Sequence, residues 1–229
     1  MTLSLDRRAV IFGAIAGFVT GPALARRADP AKVTVVSFDL IRPSQGAVGM
    51  REVATKVAEV RDLARKPDKL GKFLLKEALP VVRGPGGALH LIDHHHLGRA
   101  LWDTGRREVH VETMADLSML APAAFWPEMD KRGWLHAYDA RGIAIEPSKL
   151  PQHVKDLGDD VYRSLAGAIR QRGAFTKTVT PFSEFRWADF LRSRIPLSAV
   201  ERDFEGAVKQ ASTLARSSDA SKLPGFVGR

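Results

Sequence analysis

Gly84-Pro85-Gly86-Gly87 stands between two short apolar runs, residues 79–82 and 88–92. A proline flanked by three glycines makes a tight connection and cannot continue a helix, so the two runs must return on each other as a hairpin. That hairpin sits inside a longer alternation. Residues 33–38 (VTVVSF) are β-branched and predict a strand, and RPSQG, residues 42–46, is turn chemistry. From Arg51 onward Val53, Val57, Val60 and Ala64 recur at helical intervals until Pro67, which predicts an amphipathic helix. A short helix over roughly 70–78 then leads into the hairpin. After it comes a helix that begins at Asp93 or the histidines and ends near Asp103, with Gly105 as its stop. Val109 and Val111 alternate with polar neighbours in EVHVET and predict a further strand.

Beyond Asp116 the strand signal disappears. Residues 123–132, 154–172, 182–195 and 198–216 read as helices, and 217–229 as a polar, frayed tail. The expected fold class is therefore α+β: a small module with a mixed sheet (30–118), then an α-helical carboxy-terminal region (119–216). The order strand–helix–strand–strand–helix–strand is not that of a doubly wound sheet. Neither GxGxxG nor GxxxxGK[ST] occurs, which removes the common dinucleotide and Walker-type readings.

Composition narrows the chemistry. The apolar fraction of 45% and charged fraction of 27% suit a folded core and exclude wholesale disorder. The chain has no cysteine, so a disulfide framework, a thiolate metal site, an iron–sulfur cluster and a catalytic thiol are all excluded. A net charge of +9 favours anionic partners such as phosphate, nucleic acid or anionic lipid.

Residues 1–25 read as an export signal. Arg7 and Arg8 precede an uncharged run, 9–20; Gly21-Pro22 breaks it, and Ala23-Leu24-Ala25 offers a small-x-small cleavage site. The run is shorter than the ~20 apolar residues a bilayer span needs. The arginine pair resembles a twin-arginine signal, although no lysine follows; an anchoring amphipathic helix is the alternative. Cleavage after Ala25 removes Asp6, Arg7 and Arg8, which takes away one net positive charge and leaves +8. The expectation is a periplasmic or secreted protein with no stable membrane anchor once cleaved.

The densest chemical signal is LIDHHHLGRAL, residues 91–101. Asp93, His94, His95 and His96 fall where an apolar strand turns into a helix, and backbone N–H groups collect at such a start, which suits an anionic oxygen. Asp93 could instead cap the helix by accepting from the N–H of His95 or His96. His95 and Arg99 are four apart and share a face, whereas His94 and His96 are expected to project elsewhere, so the three histidines cannot all converge on one ion. A metal would need Asp93, one or two histidines and a distant ligand such as Glu112, Asp116 or Glu52. Phosphate contact, a metal-assisted site and hydrogen-bonded structural histidines all stay open. Imidazole is the natural proton shuttle in a chain without cysteine.

The stretch LPVVRGPGGALHLIDHHHLGRALWDTGRREVHVETMADLS, with IRPSQ and a helix upstream, resembles the core of the ParB/sulfiredoxin-like superfamily. RPSQGAVGMREV, LIDHHH, EMDKRGWLHAYD and PFSEFRWADFLR are similar to the narrower group of ParB-like nucleases. The resemblance implies that Asp93, His94, His95 and His96 meet nucleotide or nucleic-acid phosphates, with Arg99 a less direct match. Sulfiredoxin activity is excluded by the absent cysteine. Chromosome partitioning would need a DNA-reading helix-turn-helix, a dimerisation domain and a cytoplasmic location, for which the sequence makes no case.

Around this motif lie further candidates. Glu52 and Lys56 are four apart on the helix that follows RPSQG, beside Arg51, and read as a solvated pair or as groups facing the motif. Gln45 contacts substrate or stabilises its turn. His90 and His110 are expected on the sheet's more polar face. Trp126, Trp134, Tyr138, Phe182, Phe185, Trp187 and Phe190 read as helical core rather than a base-stacking surface. Asp159, Asp160, Tyr162 and Arg163 fall at a helix start, as cap or as site. Arg170, Arg172, Lys177, Arg186, Arg192 and Arg194 make a basic surface, for solubility or as a nucleic-acid track.

Three function classes remain. One is a phosphodiesterase or nuclease with His95 or His96 as acid/base and Arg99 as charge stabiliser. The second is a non-catalytic nucleotide- or DNA-binding module. The third is a nucleotide-dependent phosphotransferase with Glu52 as base. The corresponding cofactor alternatives are a divalent metal or a nucleoside triphosphate.

Overall fold

The structure is a computed structural model that describes residues 28–228. The export segment expected at 1–25 lies outside them. Among the described residues no helix is long and apolar enough to cross a membrane.

The module opens with β1 (Val33–Ser37), β2 (Ile41–Pro43) and a two-residue strand, β3 (Ala47–Val48). Two helices follow: α1 (Met50–Ala64) buries Val53 and Val60 at the expected spacing. Next, α2 (Pro67–Lys76) starts three residues earlier than the apolar pattern suggests, because Pro67 takes a first-turn position where its missing N–H costs nothing. The hairpin is present as β4 (Leu79–Arg83) antiparallel to β5 (Leu89–Leu91), with Val81 opposite Leu91 and Arg83 opposite Leu89. Gly86 and Gly87 in its connection hold φ of 70° and 81°, the left-handed region that glycine enters without strain. Then α3 (His95–Asp103) crosses over to β6 (Glu108–Asp116). The mixed sheet runs β1-β6-β4-β5-β2: β6 is antiparallel to β1 and parallel to β4, and β5 is parallel to β2.

Past Asp116 the chain is helical, as expected, with two differences. The segment 154–172 is not one helix. A 3₁₀ turn (Val154–Asp156) precedes β7 (Gly158–Asp159), and α5 (Val161–Gln171) begins only where the Asp160 carboxylate accepts the N–H groups of Tyr162 and Arg163, each at 3.0 Å. β7 pairs in parallel with β3, Ala47 beside Gly158 and Val48 beside Asp159, so a strand does form after Asp116. Similarly, 198–216 divides into α7 (Leu197–Arg202) and α8 (Phe204–Ala215). Asp203 leaves the helical region between them and caps the Gly206 N–H. The other two helices are α4 (Pro122–Lys131) and α6 (Ser183–Arg192).

Three apolar clusters hold these parts. One lies between the sheet and α1, α2 and α3, around Ile41, Val53, Leu79, Leu91 and Leu101, and it takes in Val154 and Leu157 from beyond the sheet region. A second packs α5, α6 and α8 around Trp187, Leu165, Ile169 and Val208. In the third, Phe125 and Met129 of α4 cover Val82 on the sheet. His90 therefore sits on no polar face: it is buried against the rings of Phe125 and Trp126. Nor is the tail frayed. The Trp187 indole N–H donates to the Pro224 carbonyl at 2.8 Å, Thr176 N–H donates to Gly225, and Phe226 bridges to Phe175. A buried indole needs an acceptor, and the polar tail supplies it.

Candidate functional site

The start of α3 faces the RPSQG loop. His94, the residue before the first helical turn, adopts a left-handed backbone (φ 60°, ψ 25°), a conformation uncommon outside glycine. No side chain caps this helix. The Asp93 carboxylate accepts from His94 N–H at 2.7 Å, not from the N–H of His95 or His96 as the capping alternative required.

His96 does not project away from His95: both rings turn toward the loop, because the loop runs on past Ser44 to Gly49 and so meets each ring at a different amide. The Nε2 of His95 accepts the Ser44 N–H at 3.3 Å, and the Nε2 of His96 accepts the Gly49 N–H at 3.0 Å. Gly49 is the residue that opens α1, and it is pressed so closely on Ser164 of α5 that a Cβ there would meet the Ser164 backbone nitrogen at 2.8 Å. Both imidazoles are held neutral. Burial, helped by the neighbouring His96, pushes His95 down to about 3; burial and then the cations Arg163, Lys56 and Arg170 push His96 well below the ordinary histidine range. The lone pair that would take a proton is, in each ring, the one an amide already uses. What these two rings do in this geometry is fix the loop to the helix.

Beside His96 lies a carboxylate among cations. Glu52 Oε2 is 3.7 Å from His96 Nε2 and 3.2 Å from Nη1 of Arg163, which α5 contributes and which is only 8% exposed. Arg163 reaches this position because its own N–H is tied to Asp160 at the start of α5. Arg170, two turns further along α5, has Nε 3.2 Å from Glu184 of α6. Lys56, one turn after Glu52 on α1, has no ion-pair partner among the described residues. A phosphate oxygen or any other anion finds excess positive charge here.

The remaining sequence candidates divide. Arg99 does not join the cluster: it donates to Asp103 and to the Leu157 carbonyl. Gln45 is buried and donates to the Ala47 carbonyl at 2.7 Å, which stabilises its own turn. Arg51 lies over the ring of Phe204, 3.8 Å from its centroid. Asp159 accepts the Met50 N–H, so it joins β7 to α1. Most of the expected basic track is neutralised within the fold: Arg172 pairs with Glu205, Arg192 with Asp160 and Asp189, and Arg194 with Asp219. No group of three or more His, Asp or Glu suited to a metal ion occurs among the described residues. Two polar atoms at the motif are buried without a partner, Ser44 Oγ and His94 Nδ1.

Sequence reasoning passes over His136. Its N–H donates to the Ser44 carbonyl, and its ring stacks between Tyr138 and Phe182. Burial, then Arg163 and Arg192, lower its pKa to about 4. The residue lies within EMDKRGWLHAYD, which resembles the ParB-like group, but nothing in the spacing joins it to RPSQG, which it meets only in the fold.

Known proteins agree with this architecture. Residues 34–193 match the family model described as "Putative ParB-like nuclease". The crystal structure of protein Atu1540 from Agrobacterium tumefaciens superposes with a TM-score of 0.78 at 39% sequence identity, covering 86% of this chain and 98% of that one. No curated protein matches. The family match spans the sheet, the DHHH helix start, Arg163 and α6, and on that ground the chain belongs to the ParB-like nuclease family.

Proposed function

We propose that this protein binds the phosphate groups of nucleic acid or nucleotides and cleaves a phosphodiester where α1, α3 and α5 meet. The observation that carries the reading is Glu52, a carboxylate with Arg163 at 3.2 Å and further cations, Lys56 and Arg170, acting on the His96 beside it. In this reading the phosphate is drawn by Lys56 and Arg163; Glu52 takes a proton from a water whose oxygen bonds to phosphorus while the ester P–O bond breaks, the leaving oxygen takes up a proton, and Arg163 offsets the charge that develops on the phosphoryl oxygens. His95 and His96 are positioning residues: neutral acceptors that hold the loop at 44–49 against the phosphate-facing helix start. Asp93 and His94 form the rim of that start.

A second reading has its own support. Both imidazole lone pairs are engaged by amides, which suits a binding module without turnover. One experiment separates the two. Purified protein is tested on single- and double-stranded DNA and on RNA, with and without divalent metal and with added nucleoside triphosphate. Cleavage that falls about 10²–10⁴-fold in Glu52→Gln while binding persists supports the hydrolytic reading. Binding without any cleavage leaves the module. Turnover only with triphosphate turns Glu52 into the base of a phosphotransferase.

A further inference from the structure

The rings of Phe182, His136 and Tyr138 form a column. Phe182 and His136 have centroids 4.9 Å apart, His136 and Tyr138 4.5 Å, and both pairs are within 26° of parallel. Phe185 lies nearer still, its centroid 4.0 Å from that of His136 with the ring planes 34° apart. Two features say that the column is set deliberately rather than being filler. Phe182 enters α6 with a left-handed backbone (φ 55°, ψ 28°), a conformation that a bulky side chain holds only when its surroundings fix it. In addition, the loop bearing Tyr138 is clamped to RPSQG so tightly that a Cβ at Gly46 would run into the Tyr138 carbonyl.

The column ends at the surface. Tyr138 is 39% exposed, and among the described residues His136 is the only ring stacked on it and no cation lies over it. Its middle residue is tied to the candidate site: the His136 backbone N–H donates to the Ser44 carbonyl, and the Ser44 N–H is the one that His95 accepts. Arg163, the partner of Glu52, also faces the ring of Phe185 in the same group, 5.6 Å from its centroid. The exposed ring of Tyr138 thus belongs to the same aromatic group that Arg163 faces through Phe185. Nucleotides pair these same two demands, because every base offers a π-face and every phosphate a negative charge.

We propose that the outer face of Tyr138 stacks one unpaired nucleobase, so that the ligand at this site is a nucleotide or a single-stranded nucleic acid rather than a duplex. The proposal rests on the phosphate-binding reading above and names its substrate class. Paired bases present edges in the grooves and cannot extend a ring column, whereas an unpaired base can.

Labelled 12-nucleotide oligothymidylate, an abasic strand of equal length and charge, and a duplex are titrated against the full chain at fixed salt. Wild type is expected to prefer the base-bearing strand by about 5- to 150-fold over the abasic one, the range for one stacked base. Tyr138→Ala should abolish that preference and Tyr138→Trp should keep it, while both bind the abasic strand as wild type does. Displacement by adenosine 5′-monophosphate but not by ribose 5-phosphate marks a free nucleotide as the occupant; preference for the strand alone marks an unpaired base within a chain. Equal binding of the normal and abasic strands, weakening with salt, overturns the stacking proposal and leaves the phosphate reading standing. Retention of the base preference in Tyr138→Ala also overturns it. No binding of any strand or nucleotide overturns both.

Discussion

The Nε2 of His95 accepts the backbone N–H of Ser44, so the DHHH run grips its neighbouring loop through a main-chain amide rather than a side chain. The contact demands a neutral ring, because a protonated imidazole has no acceptor to offer.

Acid should therefore loosen the protein early. His95 is depressed to about 3 and His90 and His136 to about 4, each mainly by burial, against an ordinary value near 6.5. Between about pH 6.5 and the folded values, the unfolded chain binds protons that the folded chain refuses. Stability is then complete above about 6.5 and falls as the pH drops through that window, by about 1.4 kcal/mol per pH unit for each such histidine. Urea denaturation at pH 7, 6 and 5 measures the slope. His95→Gln, which keeps an acceptor but does not titrate, should flatten it by one histidine's share; an unchanged slope contradicts the assignment.

Arg163→Ala should cost more than its surface would suggest. Removing one partner of a buried pair costs about 3–5 kcal/mol, and Glu52 keeps enough exposure to place this case at the low end. At roughly 2–4 °C per kcal/mol for a chain of this size, thermal melts should show a clear fall. The double variant Glu52→Gln/Arg163→Gln should recover part of it. If the single and double variants melt together, the pair is not coupled.

Gly46→Ala tests the clamp between RPSQG and the loop carrying Tyr138. An added methyl collides with a backbone carbonyl, which cannot rotate away, so destabilisation of about 1–3 kcal/mol is expected. Binding to single strands should fall with it. A variant as stable as wild type would show that the loop is free to move.

The amino-terminal reading has its own check. Arg7, Arg8 and the Ala23-Leu24-Ala25 site predict that the mature chain begins at Arg26 and is found outside the cytoplasm. Sequencing the amino terminus of the protein from its native host decides this, and an intact Met1 on cytoplasmic protein contradicts it.

The sheet region was readable because its signals are local. The Gly-Pro-Gly-Gly turn, the valine spacing of α1 and the alternation in β6 each lie within one short window. β7 was not readable, since two residues become a strand only by pairing with Ala47 and Val48. The same limit applied to the candidate site. The DHHH run marks its place, yet the use of the rings depends on Ser44 and Gly49, and the partner of Glu52 lies 111 residues away in the chain. Aromatic residues carry a comparable ambiguity. Trp187 and Tyr138 are alike in sequence terms, and only the fold buries the first and leaves the second at a surface.

Arg163 serves two masters, because α5 carries it while Glu52 of α1 holds its charge. An anion that draws the guanidinium toward itself weakens the fastening between those two helices. Linkage makes the effect reciprocal: any load that separates α1 from α5 must lower affinity for the anion by the same free energy. Were the proposed anion to bind, its occupancy would be readable as stiffness of the joint between α1 and α5, and hydrogen exchange along α5 is where that stiffness would register.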